Sequence, residues 1–200
     1  SHPQTDEDNA IAVVHNGIIE NYLELRAELE AEGVKFLSQT DTEIAAHMVS
    51  KYYEGNLLDA VYKATSRFRG AYALGVVCAD NANELVAVRK DSPLVVGLGE
   101  DENMIASDIP AILKYTRNVY YIGNLEMARV RKGEITFFNL DGDEVEKQPK
   151  VIEWDAEAAE KAGFEHFMIK EIHEQPKAVA DTLNSVLHDG VIDLSDVGLS

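Results

Sequence analysis

Ala10-Ile11-Ala12-Val13-Val14-His15-Asn16-Gly17 is the stretch whose reading decides the fold. Five apolar residues in a row, two of them valine, read as a strand buried on both faces. The strand then runs into a sharp polar turn at His15-Asn16-Gly17. Such a turn offers two neighbouring donors, the Asn16 side-chain amide and the Gly17 backbone N–H. Glycine also lets the main chain approach a ligand with no Cβ in the way. Two donors aimed at one developing oxyanion are what acyl transfer requires. The same dipeptide is equally a plain hairpin turn, and the residues alone leave both readings open.

Working outward, Tyr22, Leu25 and Leu29 with nearby Leu23 recur at helical spacing up to Glu32-Gly33. Val34 to Leu37 reads as a short strand. Thr40-Asp41-Thr42-Glu43 fits a capping box, in which the Thr40 hydroxyl accepts from the third following amide and Glu43 reaches back. Asp41 then sits at a helix N-terminus, where the dipole favours its anion. It either grips a ligand's ammonium group or merely stabilises the helix start. A second helix follows over Leu57, Leu58, Val61 and Tyr62.

Beyond Gly70 the period changes. Strands are expected at Ala71–Cys78, Leu85–Val88, Leu94–Val96, Val119–Ile122, Met127–Val130 and Ile135–Leu140, with Asp, Asn, Gly and Pro turns between them. Ser107-Asp108-Ile109-Pro110 reads as a further helix start, running to about Tyr115. Many strands with short turns favour antiparallel sheets, and the early helices suggest one helical layer on a sheet. From Asp155 the sequence turns charged and helical, and Pro176 restricts Gln175 to extended backbone, so a break or a helix start is expected there.

Composition narrows the function classes. A formal charge of −18 over 200 residues, with 36 acidic against 18 basic side chains, repels phosphate backbones and anionic lipid, so neither nucleic acid nor membrane is expected as a partner. There is no apolar run long enough to span a bilayer and no basic, apolar leader at the N-terminus. One cysteine cannot form an internal disulfide, which fits a cytoplasmic setting. That residue, Cys78, ends an apolar run and reads as an inert packing thiol. The six histidines show no metal-site spacing. His47 reads as a packed or surface histidine and not as a ligand, and His15 either orients the turn or makes a local structural hydrogen bond.

The segments His2-Pro3, VVHNGIIEN (13–21), TDTE (40–43), RGAYAL (69–74), SPLVVGLG (92–99), ENMIASD (102–108) and KEIHEQP (170–176) together resemble the glutaminase domain of the glutamine–fructose-6-phosphate aminotransferase (glucosamine-6-phosphate synthase) family. HNG and TDTE alone would also fit amidophosphoribosyltransferases; SPLVVGLG and KEIHEQP narrow the resemblance to the sugar enzymes. It implies an α+β N-terminal-nucleophile hydrolase fold, a four-layer αββα sandwich with antiparallel sheets. It implies hydrolysis of glutamine to glutamate and ammonia, and transfer of the ammonia to fructose 6-phosphate in a homodimeric parent, without a cofactor. Residue by residue, Asn16 and Gly17 match the oxyanion hole, Asp41 the group gripping the substrate ammonium, and His2 a histidine near that pocket. The family's nucleophile is an N-terminal cysteine whose own amine acts as base; no residue of this sequence matches it. The first block of the domain is therefore expected to be missing, and the chain as it stands to be inactive. The implied domains are 1–163 glutaminase, 164–176 linker and 177–200 the start of a sugar isomerase domain. The alternatives are a non-catalytic binding or regulatory module of the same fold and the glutaminase domain of an amidophosphoribosyltransferase.

Overall fold

The computed structural model describes residues 2–153, 164–188 and 191–192. The chain divides into two units, Ser1–Glu153 and Trp154–Ser200.

The first unit is built on two antiparallel sheets. The larger has seven strands in the order β1 (Gln4–Thr5), β2 (Ile11–Gly17), β3 (Tyr72–Cys78), β4 (Asn81–Lys90), β8 (Met127–Arg131), β9 (Glu134–Phe138) and β10 (Glu144–Val145). The smaller has the order β11 (Lys150–Val151), β7 (Asn118–Tyr121), β5 (Val95–Leu98) and β6 (Asn103–Ala106). Alternation along the strands divides the core in two. Ile11 and Val13 of β2, Leu74 and Val76 of β3, and Val86 and Val88 of β4 face a layer of three helices. Ala73, Ala87, Ala128, Val130 and Phe137 point the other way, onto Leu94, Val96 and Ile122 beside the second sheet. Small residues on that inner face let the two sheets come close. A Cβ on Gly75 would stand 2.4 Å from Ile105 Cδ1. The cover ends near β2, where Val14 and Val77 remain 42% exposed.

The helices are α1 (Tyr22–Ala31), α2 (Asp41–Tyr52) and α3 (Leu57–Thr65). Helix α2 lies in the middle of its layer, and Ile44, Ala45, Ala46, Met48 and Val49 are all fully buried. Each large aliphatic side chain there contributes about 1.5–3 kcal/mol by leaving water. Helix α1 ends in a Schellman motif: Val34 N–H donates to Leu29 O and Gly33 N–H to Glu30 O.

Three local expectations are corrected. Val34–Leu37 is not a strand, because the amides of Leu37 and Ser38 donate to the Glu43 carboxylate (2.6 Å each) and not to a neighbouring strand. The capping box is therefore half-formed. Thr40 Oγ1 accepts from Glu43 N–H at 3.3 Å, but Glu43 is spent on the preceding loop. Residues 107–115 form consecutive turns, not a helix, although Asp108 does cap Ala111 N–H. Ile112 and Leu113 of that segment are buried, and Thr116 donates to Leu98 O of β5.

In the second unit, α4 (Phe167–Val186) continues straight through Pro176, and the short strands β12 (Leu187–His188) and β13 (Val191–Ile192) pair. The expected break at Gln175-Pro176 is absent. A proline removes one helical N–H donor, here leaving a carbonyl on an exposed helix where water can satisfy it. The helical sequence expected between Asp155 and residue 163 lies outside the described residues.

Candidate functional site

The Asn16-Gly17 pair does not make a hairpin turn. Both residues belong to β2, with Asn16 opposite Ala73 and Gly17 opposite Tyr72 of β3. The strand's partner comes from far along the chain, so no tight turn is needed after Gly17. Glycine is needed there for another reason. Its φ is +123°, and a Cβ would lie 2.1 Å from Ala71 O.

The ladder fixes where the donors point. Ile18 N–H donates to Ala71 O at 2.8 Å, so residues 16 and 18 bond to β3. By the alternation of an antiparallel ladder, the Gly17 N–H faces the opposite edge of β2. The Asn16 side chain lies on the inner face with Val14, Ala73 and Gly75, makes no hydrogen bond among the described residues, and is exposed. Asn16 lines a cavity of about 150 Å³ together with His2, Val14, Gly75, Ile105 and Ser107.

His15 alternates to the helical face and meets the start of α2. Its Nδ1 is 3.1 Å from Thr42 Oγ1 and 3.8 Å from Asp41 Oδ2. Asp41 Oδ2 also accepts the Ile19 N–H at 2.9 Å. The end of β2 is thus tied to the first turn of α2 at three points. His2 joins from the other side, with Nε2 3.1 Å from the same Thr42 hydroxyl. Burial pushes the His15 imidazole below its ordinary pKa, opposed by the nearby Asp41 carboxylate and reinforced by His2.

The loop before Asp41 is held by Glu43. Burial disfavours its charged form, but the Ser38 hydroxyl and the amides of Leu37 and Ser38 outweigh that and hold its carboxyl below the usual range. His47, one turn on, is depressed by burial and packs edge-on against Phe36.

The structure therefore gathers all four residues singled out from the sequence at one end of β2. Asn16 and His2 line the cavity; Asp41 does not, and reaches it only through His15. Sequence reading gave Thr42 no role beyond its place in the capping motif and left His15 a local group. Their contacts span 27 and 40 residues, and no periodicity signals them. Cys78 stands at the far end of the β2–β3 pair, opposite Ile11. It is five residues from Ala73, roughly 17 Å along a strand. Among the described residues no cluster of His, Cys, Asp and Glu could hold a metal ion, and no helix is long and apolar enough to cross a membrane.

Comparison with known proteins gives a consistent result. The family profile described as "Glutamine amidotransferase domain" matches residues 1–114. A protein named glutamine–fructose-6-phosphate aminotransferase [isomerizing] from Clostridium acetobutylicum is 52% identical over the whole chain, and one from Caldanaerobacter subterraneus 51%. One of the same name from Thermus thermophilus is 47% identical over 97% of the chain. The chain spans about a third of the length of these relatives (33%, 33% and 32%). Among solved structures, a Bacillus subtilis glutamine phosphoribosylpyrophosphate amidotransferase in complex with ADP and GMP superposes with a TM-score of 0.58 at 24% identity. That match covers 70% of this chain and 31% of the other. The shared fold is the N-terminal-nucleophile hydrolase architecture.

Proposed function

Since the chain belongs to the glutamine amidotransferase domain family, we propose that it is the glutamine-binding part of a glutamine–fructose-6-phosphate aminotransferase. The parent enzyme hydrolyses glutamine to glutamate and ammonia and delivers the ammonia to fructose 6-phosphate, giving glucosamine 6-phosphate. Relatives near 50% identity along the full chain support the sugar enzyme over the phosphoribosyl enzymes, whose likeness at 24% carries the fold alone.

One observation carries the reading. The Asn16-Gly17 end of β2 is tied to Asp41 through the Ile19 amide and the His15 imidazole. In the reaction, a thiolate attacks the side-chain amide carbon of glutamine. Negative charge grows on the oxygen, where the Asn16 amide and the Gly17 N–H stabilise it. The amine of the nucleophile's own residue passes the thiol proton to the nitrogen, the C–N bond breaks and ammonia leaves. Water then cleaves the resulting thioester to release glutamate and restore the thiol. The Asp41 carboxylate receives the substrate α-ammonium, and His2 borders the pocket. No cysteine lines the cavity, and Cys78 is buried at the wrong end of β3. The 200-residue chain alone therefore turns over no glutamine. We assign residues 1–163 to the glutaminase domain, 164–176 to a linker and 177–200 to the start of the isomerase domain. The parent is a cytoplasmic homodimer.

The test is glutamate release by the full-length protein in the presence of fructose 6-phosphate. Asn16→Ala is expected to lower kcat about 10²–10³-fold, the usual effect of losing one oxyanion donor. Asp41→Asn is expected to raise KM for glutamine. Wild-type kcat/KM in both variants places the site elsewhere. Glutamate formed by the 200-residue chain above a protein-free blank overturns its assigned inactivity.

A further inference from the structure

Thr42 Oγ1 lies 3.1 Å from His15 Nδ1 and 3.1 Å from His2 Nε2, and Thr42 itself is buried. A hydroxyl carries one proton, so it can donate to only one of these nitrogens. The other must be an N–H that donates to it. Asp41 Oδ2, 3.8 Å from His15 Nδ1, decides which. An ionised carboxylate only accepts, so a bare Nδ1 would set two lone pairs against each other, while an Nδ1–H gains from both neighbours. His15 Nδ1–H then donates to Thr42, and the Thr42 hydroxyl donates to His2 Nε2. The remaining ring atom, His15 Nε2, is buried with no partner among the described residues. As a lone pair it costs less there than an orphaned N–H would.

We infer that His15 is a positioning residue: held as its neutral Nδ1–H tautomer, it fixes Thr42 and Asp41 against the end of β2 and leaves Asp41 Oδ1 for the ligand's ammonium group. The inference rests on Asp41 being the ammonium partner. Oδ2 is already taken by the Ile19 amide and faces the His15 ring. Oδ1 has no hydrogen bond among the described residues, and the Asp41 side chain is 23% exposed, enough to meet a ligand. Neutrality matters as much as the tautomer. An imidazolium this close would compete with the ammonium for the same carboxylate, and the burial of His15 keeps that cation from forming near pH 7. The ring therefore supplies direction without charge.

Two measurements test this. In the 200-residue chain labelled with 15N-histidine, the long-range nitrogen–proton spectrum is expected to show His15 with Nδ1 protonated and Nε2 bare. The reverse tautomer, or a charged ring at pH 7, overturns the inference without bearing on the proposed reaction. In the full-length protein, His15→Phe keeps the ring volume and removes the donor, while His15→Asn returns an amide donor near the Nδ1 position. We expect His15→Phe to raise KM for glutamine about tenfold, the scale of one lost buried hydrogen bond, here that to the Thr42 hydroxyl. Its kcat should stay within about threefold, and His15→Asn should recover most of the KM. An unchanged KM in His15→Phe beside a raised KM in Asp41→Asn sinks the positioning role alone. An unchanged KM in Asp41→Asn itself removes the ammonium site on which the inference stands. If neither His15 variant folds, the tautomer spectrum still decides.

Discussion

Replacing Gly17 with alanine puts a methyl group where the fold has no room for one. A Cβ at this position would stand 2.1 Å from Ala71 O and 2.8 Å from Tyr72 Cα, both backbone atoms of the neighbouring strand. The backbone also sits at φ +123°, a region closed to residues with a side chain. Holding a residue there costs about 1–3 kcal/mol. Relieving the clash means moving β2 away from β3 and losing the Ile18–Ala71 hydrogen bond, about 1 kcal/mol more. The sum is about 3 kcal/mol, which lowers Tm by about 6–12 °C in a chain of this size. Gly33→Ala is the internal control. Gly33 also has positive φ (+96°), but nothing lies within 4 Å of its Cβ position. It should lose only the backbone share, about 1 kcal/mol and 2–4 °C. Thermal melts of the two variants of the 200-residue chain decide the matter. Equal Tm losses would refute the close approach of β2 to β3 at Gly17, and with it the argument for glycine at the donor end of the strand.

Other perturbations follow from the same contacts. Glu43→Gln should destabilise the chain by about 1–3 kcal/mol at pH 7, because a buried carboxylate accepting from Leu37 and Ser38 is replaced by a group that cannot accept at every position. Its folded pKa lies below the ordinary 4.5, so its contribution is present above that value and lost as pH falls through the folded pKa. Urea melts of wild type and variant should therefore converge in acid; a constant gap would contradict the charged role. His15 and His47 are both held below the ordinary 6.5 by burial, so the unfolded chain takes up protons that the native one refuses. Stability should fall as pH drops below about 6.5, with unfolding taking up as many as two extra protons. A pH-independent ΔG between 7 and 5.5 speaks against both neutral rings. Cys78→Ser should cost about 1 kcal/mol by burying a hydroxyl in place of a thiol, and leave glutamine hydrolysis by the full-length protein unchanged. Lost turnover in a folded Cys78→Ser variant would restore the thiol as a candidate nucleophile.

Strands β2 to β5 and β7 to β9 and the helices α1 to α3 are legible because apolar spacing repeats at two or near 3.6 residues wherever one face is buried. Strands β1, β6, β10 and β11 leave no such period over their two to four residues each. Residues 107–115 carry a good helix start, yet the helix does not form. Propensity is a weak prior, and here the turns bury Ile112 and Leu113 instead. Val34–Leu37 has strand-like residues, but a strand needs a neighbour, and the neighbour available was the Glu43 side chain.

By itself the sequence offered the residue types now found at the end of β2, a side-chain amide, a glycine, an acid at a helix start and histidines nearby, while only the family resemblance implied that they share a pocket. Each is signalled by local chemistry, a Gly where backbone must pass closely and a Thr-Asp pair where a helix begins. Only the tertiary structure decided what those groups bond to. The partner of β2 lies more than fifty residues away, which turned an apparent hairpin into a continuing strand with one amide facing its free edge. The hydroxyl of Thr42, read from sequence as part of a helix start, became the shared partner of two histidines 27 and 40 residues distant. Burial is periodic along a chain and leaves a pattern; the partner of a single buried polar atom is set by which elements happen to pack together, and leaves none.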